Sequence, residues 1–147
     1  MGGFEALSYT WGEENLDGRV MVDGKLCYIH KNREAALRRL QYGMRYWIDA
    51  LCINQADVQE RNTEVKRMRN LYEKAWSVVV WLGEECEESL LACDFISSIC
   101  HLTYFMNGHC YIHYPEEFYR EKKWKPLMDI LTRSYWTRLW IIQELTM

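Results

Sequence analysis

The chain has only two prolines and eight glycines in 147 residues, which argues against linkers and low-complexity segments. It contains no apolar run of the roughly 18 residues needed to cross a bilayer. It also lacks a long basic run: 18 Lys and Arg stand against 21 Asp and Glu, a net charge of −3. A generic nucleic-acid or membrane-surface role is therefore not expected. The opening Met1-Gly2-Gly3 lacks the basic-then-apolar pattern of a signal peptide, so a cytoplasmic location is expected. None of the six cysteines has C-x-x-C spacing, and in a reducing compartment they read as free thiols.

One Cys/His cluster invites comparison with a zinc site: Cys100-His101, His109-Cys110 and His113. Four such ligands would have to converge in a tetrahedron. The spacing matches no common knuckle, so the segment reads as a helix end followed by an aromatic loop, and no metal is expected. Cys52 would need a partnered base to act as a nucleophile, and no histidine lies near it in sequence.

What is abundant is aromatic and apolar side chains. Aromatics make up 14% and hydrophobic residues 49% of the chain, which supports a firm core in one domain over 1–147. Residues 5–10, EALSYT, read as a strand. Two β-rich runs, 19–22 and 26–30, flank Asp23-Gly24, the signature of a tight hairpin. Asn32 is a candidate N-cap for a helix that Gly43 can stop. Residues 46–51, YWIDAL, read as a buried strand with Asp49 near its end. Asp57 and Glu60 have capping-box spacing before an amphipathic helix. Residues 77–83 show no alternation, which predicts a strand buried on both faces of a parallel sheet. Leu90, Leu91, Phe95, Ile96, Ile99 and Leu102 form a helical face, whereas 104–114 have no period and read as a loop. Pro115 can open a helix, Pro126 must interrupt or restart one, and 135–147 read as a closing helix. Strands alternating with helices imply an open, mainly parallel α/β sheet flanked by helices, with an N-terminal β-hairpin and a helical C-terminal half. Ligands of such sheets sit at the C-terminal strand ends.

The blocks ALSYTWG at 6–12, WIDALCINQADVQERNTEVKRMRNLYEKAWSVVVWLGE at 47–84 and RSYWTRLWIIQEL at 133–145 closely resemble the fungal heterokaryon-incompatibility (HET) domain. The resemblance runs from about Phe4 to Leu145. Glu64 stands where the family usually shows Gln, and Ser134-Tyr135 where Pro-Trp is common. Family members usually carry residues before and after the domain, so a domain truncated at both ends is expected. The resemblance implies a role in self/non-self recognition, as a cell-death effector activated by clustering. It also implies a distant likeness to TIR domains, and hence a TIR-like, flavodoxin-like sheet. Expected partners are further copies of the chain or other incompatibility proteins, with no nucleic acid and no membrane span.

TIR domains with enzyme activity cleave NAD at the nicotinamide–ribose bond. NAD is accordingly the candidate substrate, with no bound cofactor expected. The oxocarbenium-like transition state is positive, so a carboxylate must stabilise or trap it. In that family the acid lies four residues after a Trp. Trp140 and Glu144 have that spacing, which makes Glu144 the candidate catalytic acid. Tyr9, Trp11 and Trp140 are candidates for stacking on the bases, Arg61 for a phosphate and Asp49 for a ribose hydroxyl. Each has a structural alternative. Asp57 and Glu60 cap a helix, and Arg61 joins a solvated face. Asp49 pairs with Arg45, Arg138 or backbone N–H groups of the 51–56 loop, where Asn54 and Gln55 satisfy the backbone. Trp47, Trp81, Trp136 and Trp140 fill the core. A non-enzymatic module for self-association or recruitment is the competing function.

Overall fold

The computed structural model describes residues 3–12, 15–101, 103–106, 109–112 and 123–145. They form two compact units: one built from residues up to Gly83 and from Ser134 onward, the other from Glu84–Arg133.

The first unit begins with β1 (Glu5–Tyr9), followed by the hairpin strands β2 (Gly18–Val22) and β3 (Lys25–Ile29) and the helix α1 (Lys31–Arg39). Next come a two-residue strand β4 (Tyr46–Trp47), a single helical turn α2 (Asp49–Cys52), the long helix α3 (Val58–Lys74) and β5 (Ser77–Trp81). The parallel strands lie in the order β4-β1-β5. β1 is therefore central and divides the core by alternation of its side chains. Leu7 and Tyr9 pack with Ala36 and Leu37 of α1, with Leu40 just after it, and with Ile48. Ala6 packs on the opposite face with Val65, Met68 and Tyr72 of α3. The Trp47 ring meets that of Tyr72 edge to face, 5.6 Å between centroids.

Several local expectations hold. The hairpin turns at Asp23 and Gly24, both at positive φ, as a tight two-residue turn requires. Asp57 caps α3, accepting from the backbone N–H groups of Gln59 and Glu60. Glu60 reaches back to the N–H of Asn54 at 3.0 Å, and so fastens the preceding loop.

Other expectations are corrected. The strand read over 46–51 is only Tyr46–Trp47. Ile48 stays extended and the chain turns helical at Asp49, whose carboxylate takes up the first-turn N–H of Ala50. β5 is an edge strand with half-buried residues, and β1 is the strand covered on both faces. α1 is capped at His30 rather than Asn32. The Asn32 side chain instead spans two strand ends. It donates to the Thr10 carbonyl at 2.8 Å and accepts from the Trp81 indole N–H at 2.8 Å. α1 stops at Leu40, before Gly43, whose φ of +85° serves the turn that follows.

The second unit contains α4 (Ser89–His101), β6 (Thr103–Met106), β7 (His109–Ile112) and α5 (Trp124–Leu131). Phe95 and Leu127 form its core with Ile99 and Trp124, and the Phe95 and Trp124 rings cross at 83°. The segment read as a loop pairs as an antiparallel hairpin, because backbone pairing needs no side-chain period. Pro126 lies in the first turn of α5, where its missing N–H has no intrahelical partner to lose. Pro115 lies outside the described residues.

The chain then returns to the first unit as a single 3-10 turn, Ser134–Thr137, and a short helix α6 (Ile141–Leu145). The continuous helix expected over 135–147 is interrupted. Tyr135 and Glu144 both converge on the Ser8 hydroxyl. In one straight helix they would lie about 13.5 Å apart along the axis.

Candidate functional site

A cleft of about 310 Å³ opens at the C-terminal ends of β1 and β4, on the face covered by α3. Its lining comes from four stretches of sequence. Trp11 follows β1. Asp49, Ile53 and Gln55 follow β4. Arg61, Val65 and Met68 lie on α3, and Arg138 and Trp140 precede α6. The lining combines apolar side chains with two cations and one carboxylate, and the two indoles are 43% and 41% exposed.

Asp49 is the most highly organised group. Tyr9 donates its phenol to Oδ1 at 2.8 Å, and the Trp11 indole N–H reaches Oδ2 at 3.1 Å. Gln55 donates to the Asp49 carbonyl at 3.2 Å and thereby fixes the turn. Neither charged partner expected for Asp49, Arg45 or Arg138, is used; its support is the neutral donors Tyr9, Trp11 and the Ala50 N–H. Burial, reinforced by the charge of Asp49, raises the Tyr9 phenol far above its ordinary range. Tyr9 therefore remains an O–H donor at any physiological pH.

Behind these rings sits Arg33, only 5% exposed. Its guanidinium carbon lies 5.5 Å from the Tyr9 ring centroid and 5.6 Å from that of Trp11. Both contacts are cation–π in character. Its Nε has no hydrogen-bond partner among the described residues. Gly12 follows Trp11 at φ +81°, a backbone state that glycine adopts without a Cβ penalty and that turns the chain after the strand.

Glu144 occupies a different position from the one expected of an acid facing a ligand. It is 1% exposed and does not line the cleft. Its two oxygens accept from the Arg138 guanidinium at 2.8 and 3.0 Å, and Oε2 also accepts from Ser8. The Ser8 hydroxyl meets the Tyr135 phenol, and Arg138 lies over the Tyr135 ring at 5.5 Å. The Trp140–Glu144 spacing does close a backbone turn, Glu144 N–H to Trp140 C=O at 3.2 Å, but Trp140 lines the cleft and Glu144 points into the core.

Four of the six expected site residues thus line one cleft: Trp11, Asp49, Arg61 and Trp140. Tyr9 supports it from beneath and Glu144 touches it only through Arg138. Sequence reasoning missed Arg33, Ser8 and Tyr135 as parts of the site, and Arg138 as a lining residue. Arg138 and Glu144 lie six residues apart, beyond one helical turn, so their spacing gave no signal of the pair. Leu82–Glu85, at the end of β5, does not line the cleft.

Among the described residues, no group of three or more His, Cys, Asp or Glu is arranged to hold a metal ion. Of the Cys/His cluster, His101, His109, Cys110 and His113 lie outside the described side chains. Cys27, Cys52, Cys86, Cys93 and Cys100 are free thiols. No helix of the described residues is long and apolar enough to cross a membrane.

No solved structure matches the chain. A curated relative, heterokaryon incompatibility protein 6 (OR allele) of Neurospora crassa, is 35% identical over 111 residues. The match covers 64% of this chain and 16% of the relative, so the chain spans a small part of that protein's length. The family model for the heterokaryon incompatibility protein (HET) matches residues 4–144, including every residue that lines the cleft, and the chain belongs to that family.

Proposed function

We propose that the chain acts in heterokaryon incompatibility as a cell-death effector domain, and that its cleft binds NAD and cleaves the nicotinamide–ribose bond. The observation that carries this reading is the convergence of Trp11, Trp140, Arg61, Arg138 and Asp49 on one opening. Two indoles suit planar bases and two guanidinium groups suit a pyrophosphate. The parallel strand order, second–first–third in chain order, matches the start of a flavodoxin-like sheet, whose ligands bind at the C-terminal strand ends.

In this reading Asp49 is the carboxylate nearest the reaction. Held by Tyr9 and Trp11, it bonds a ribose hydroxyl and offsets the positive charge that develops at the ribose carbon. The carbon–nitrogen bond breaks with its electron pair passing to nicotinamide. A water oxygen bonds to the ribose carbon, and its proton passes to Asp49 and on to solvent. Glu144, the acid suggested by family resemblance, acts behind Arg138. Trp11 and Trp140 provide the test. NAD titration should quench their fluorescence saturably, and Trp11→Phe should remove much of the change. Absence of saturable quenching in folded protein would contradict the reading.

A second reading, a self-association module, draws on the hairpin. Met21 pairs with Leu26 and Arg19 with Tyr28 on one face, and Met21, Leu26 and Tyr28 are all exposed. Apolar groups gathered on one hairpin face suit contact with a second copy. Sedimentation equilibrium tests it: Met21→Glu should lower the association constant if that face self-associates.

A further inference from the structure

We infer that Arg138 is the residue by which this cleft selects phosphate-bearing ligands, and that Glu144 is its positioning carboxylate. The inference rests on the nucleotide-binding reading above and adds to it a residue and a division of labour.

Arginine is long and flexible, and an exposed one loses side-chain entropy when a ligand fixes it. Arg138 is already fixed. Glu144 holds its guanidinium through two contacts of 2.8 and 3.0 Å, Ser8 through a third at 3.3 Å, and the Tyr135 ring lies beneath it. Its side chain is only 17% exposed, yet it forms part of the cleft wall. An arginine has five N–H donors. Glu144 and Ser8 engage one edge of the fork, which leaves donor capacity for a ligand. Arg61 differs. It sits on the exposed face of α3, and its side chain has no hydrogen bond or ion pair to the described residues. The cleft therefore pairs one preorganised cation with one adaptable cation, and the preorganised one dominates selectivity.

The burial of Glu144 fits this role. A carboxylate so deeply buried persists because it is paired and hydrogen-bonded. Ser8 comes from the central strand and Tyr135 from the 3-10 turn, so the carboxylate is anchored to the middle of the sheet. Its influence on a ligand passes through the guanidinium. Removing Glu144 should loosen Arg138 without deleting its charge.

The test is equilibrium binding of two probes, ADP-ribose and adenosine, to the full chain by calorimetry. Wild type should bind ADP-ribose at least about 10-fold more tightly than adenosine, the value of one charge-assisted hydrogen bond. Arg138→Met should erase that preference by weakening ADP-ribose far more than adenosine, while Arg138→Lys restores part of it. Glu144→Gln should lose a fraction of the preference. Because Glu144→Gln leaves a buried guanidinium poorly paired, Arg138→Met/Glu144→Met serves as the variant that keeps volume and removes both charges. It should bind ADP-ribose no more weakly than Arg138→Met alone.

Equal loss of both probes in Arg138→Met, no loss of either, or a further ten-fold loss of ADP-ribose in the double variant would overturn the inference while leaving nucleotide binding intact. Failure of folded wild type to bind either probe would instead overturn the nucleotide reading, and the inference with it.

Discussion

The phenol of Tyr9 donates to Oδ1 of Asp49 at 2.8 Å, joining the end of the central strand to the first residue of the turn that follows β4. This bond makes the cleft carboxylate part of the sheet rather than of a loop. Tyr9→Phe preserves the ring, its packing with Leu7 and Ala36, and the Arg33 contact. It should destabilise the fold by about 1.5–3 kcal/mol, the range for a hydrogen bond to a charged group, as measured by urea unfolding. It should also weaken NAD binding several-fold, because Asp49 loses one of its orienting donors.

Asn32 makes a separable contribution. It joins the C-terminal ends of β1 and β5 through Thr10 and Trp81. Asn32→Ala leaves the Trp81 indole N–H and the Thr10 carbonyl without this partner. A loss of about 1–3 kcal/mol is expected. Asn32→Asp, which keeps the acceptor for Trp81 but loses the donor to Thr10, should fall between wild type and alanine. An N-cap role would instead leave Asn32→Asp as stable as wild type, since Asp caps helices as well as Asn does.

The phenols of Tyr9, Tyr72 and Tyr135 are all raised above the ordinary value of 10.0, in each case chiefly by burial. Their folded-state values exceed those of the unfolded chain, so their contribution to stability is fully present below about pH 10 and is lost as pH rises. Glu34 works in the opposite direction. Its hydrogen bond from Arg38, and then that from the Arg19 backbone N–H, lower its carboxyl below 4.5. That contribution is present above the ordinary carboxylate value and is lost as pH falls through the lowered one. Absorbance titration at alkaline pH should show these three phenols ionising only together with unfolding. Glu34→Gln should lower the melting temperature at pH 7, and by progressively less as pH falls below the ordinary carboxylate range.

Much of the frame was legible because local chemistry decides it. Asp23-Gly24 requires its turn, Asp57 has N–H groups to cap, and the apolar stripe of 65, 68 and 72 matches the helical period. The misreadings have a common cause in tertiary contact. YWIDAL has strand composition, yet Asp49 turns helical where Tyr9 and Trp11 receive its carboxylate. Asn32 looks like a cap, but two strand ends claim its amide. In the site, the aromatic and charged residues around Trp11, Asp49, Arg61 and Trp140 were visible from motif composition. The inward turn of Glu144 was not, because it depends on Ser8, 136 residues away in sequence. Arg33 was equally hidden, since nothing in its helix distinguishes a buried arginine from a solvated one.

The most direct test of the central claim is nicotinamide release from NAD by the purified chain at high protein concentration, with Asp49→Asn run beside wild type. Release by wild type and its loss by at least about 100-fold in a folded Asp49→Asn variant, the order of effect for removing one transition-state charge partner, is the predicted result. No release from folded wild type, or undiminished release from Asp49→Asn, would contradict it.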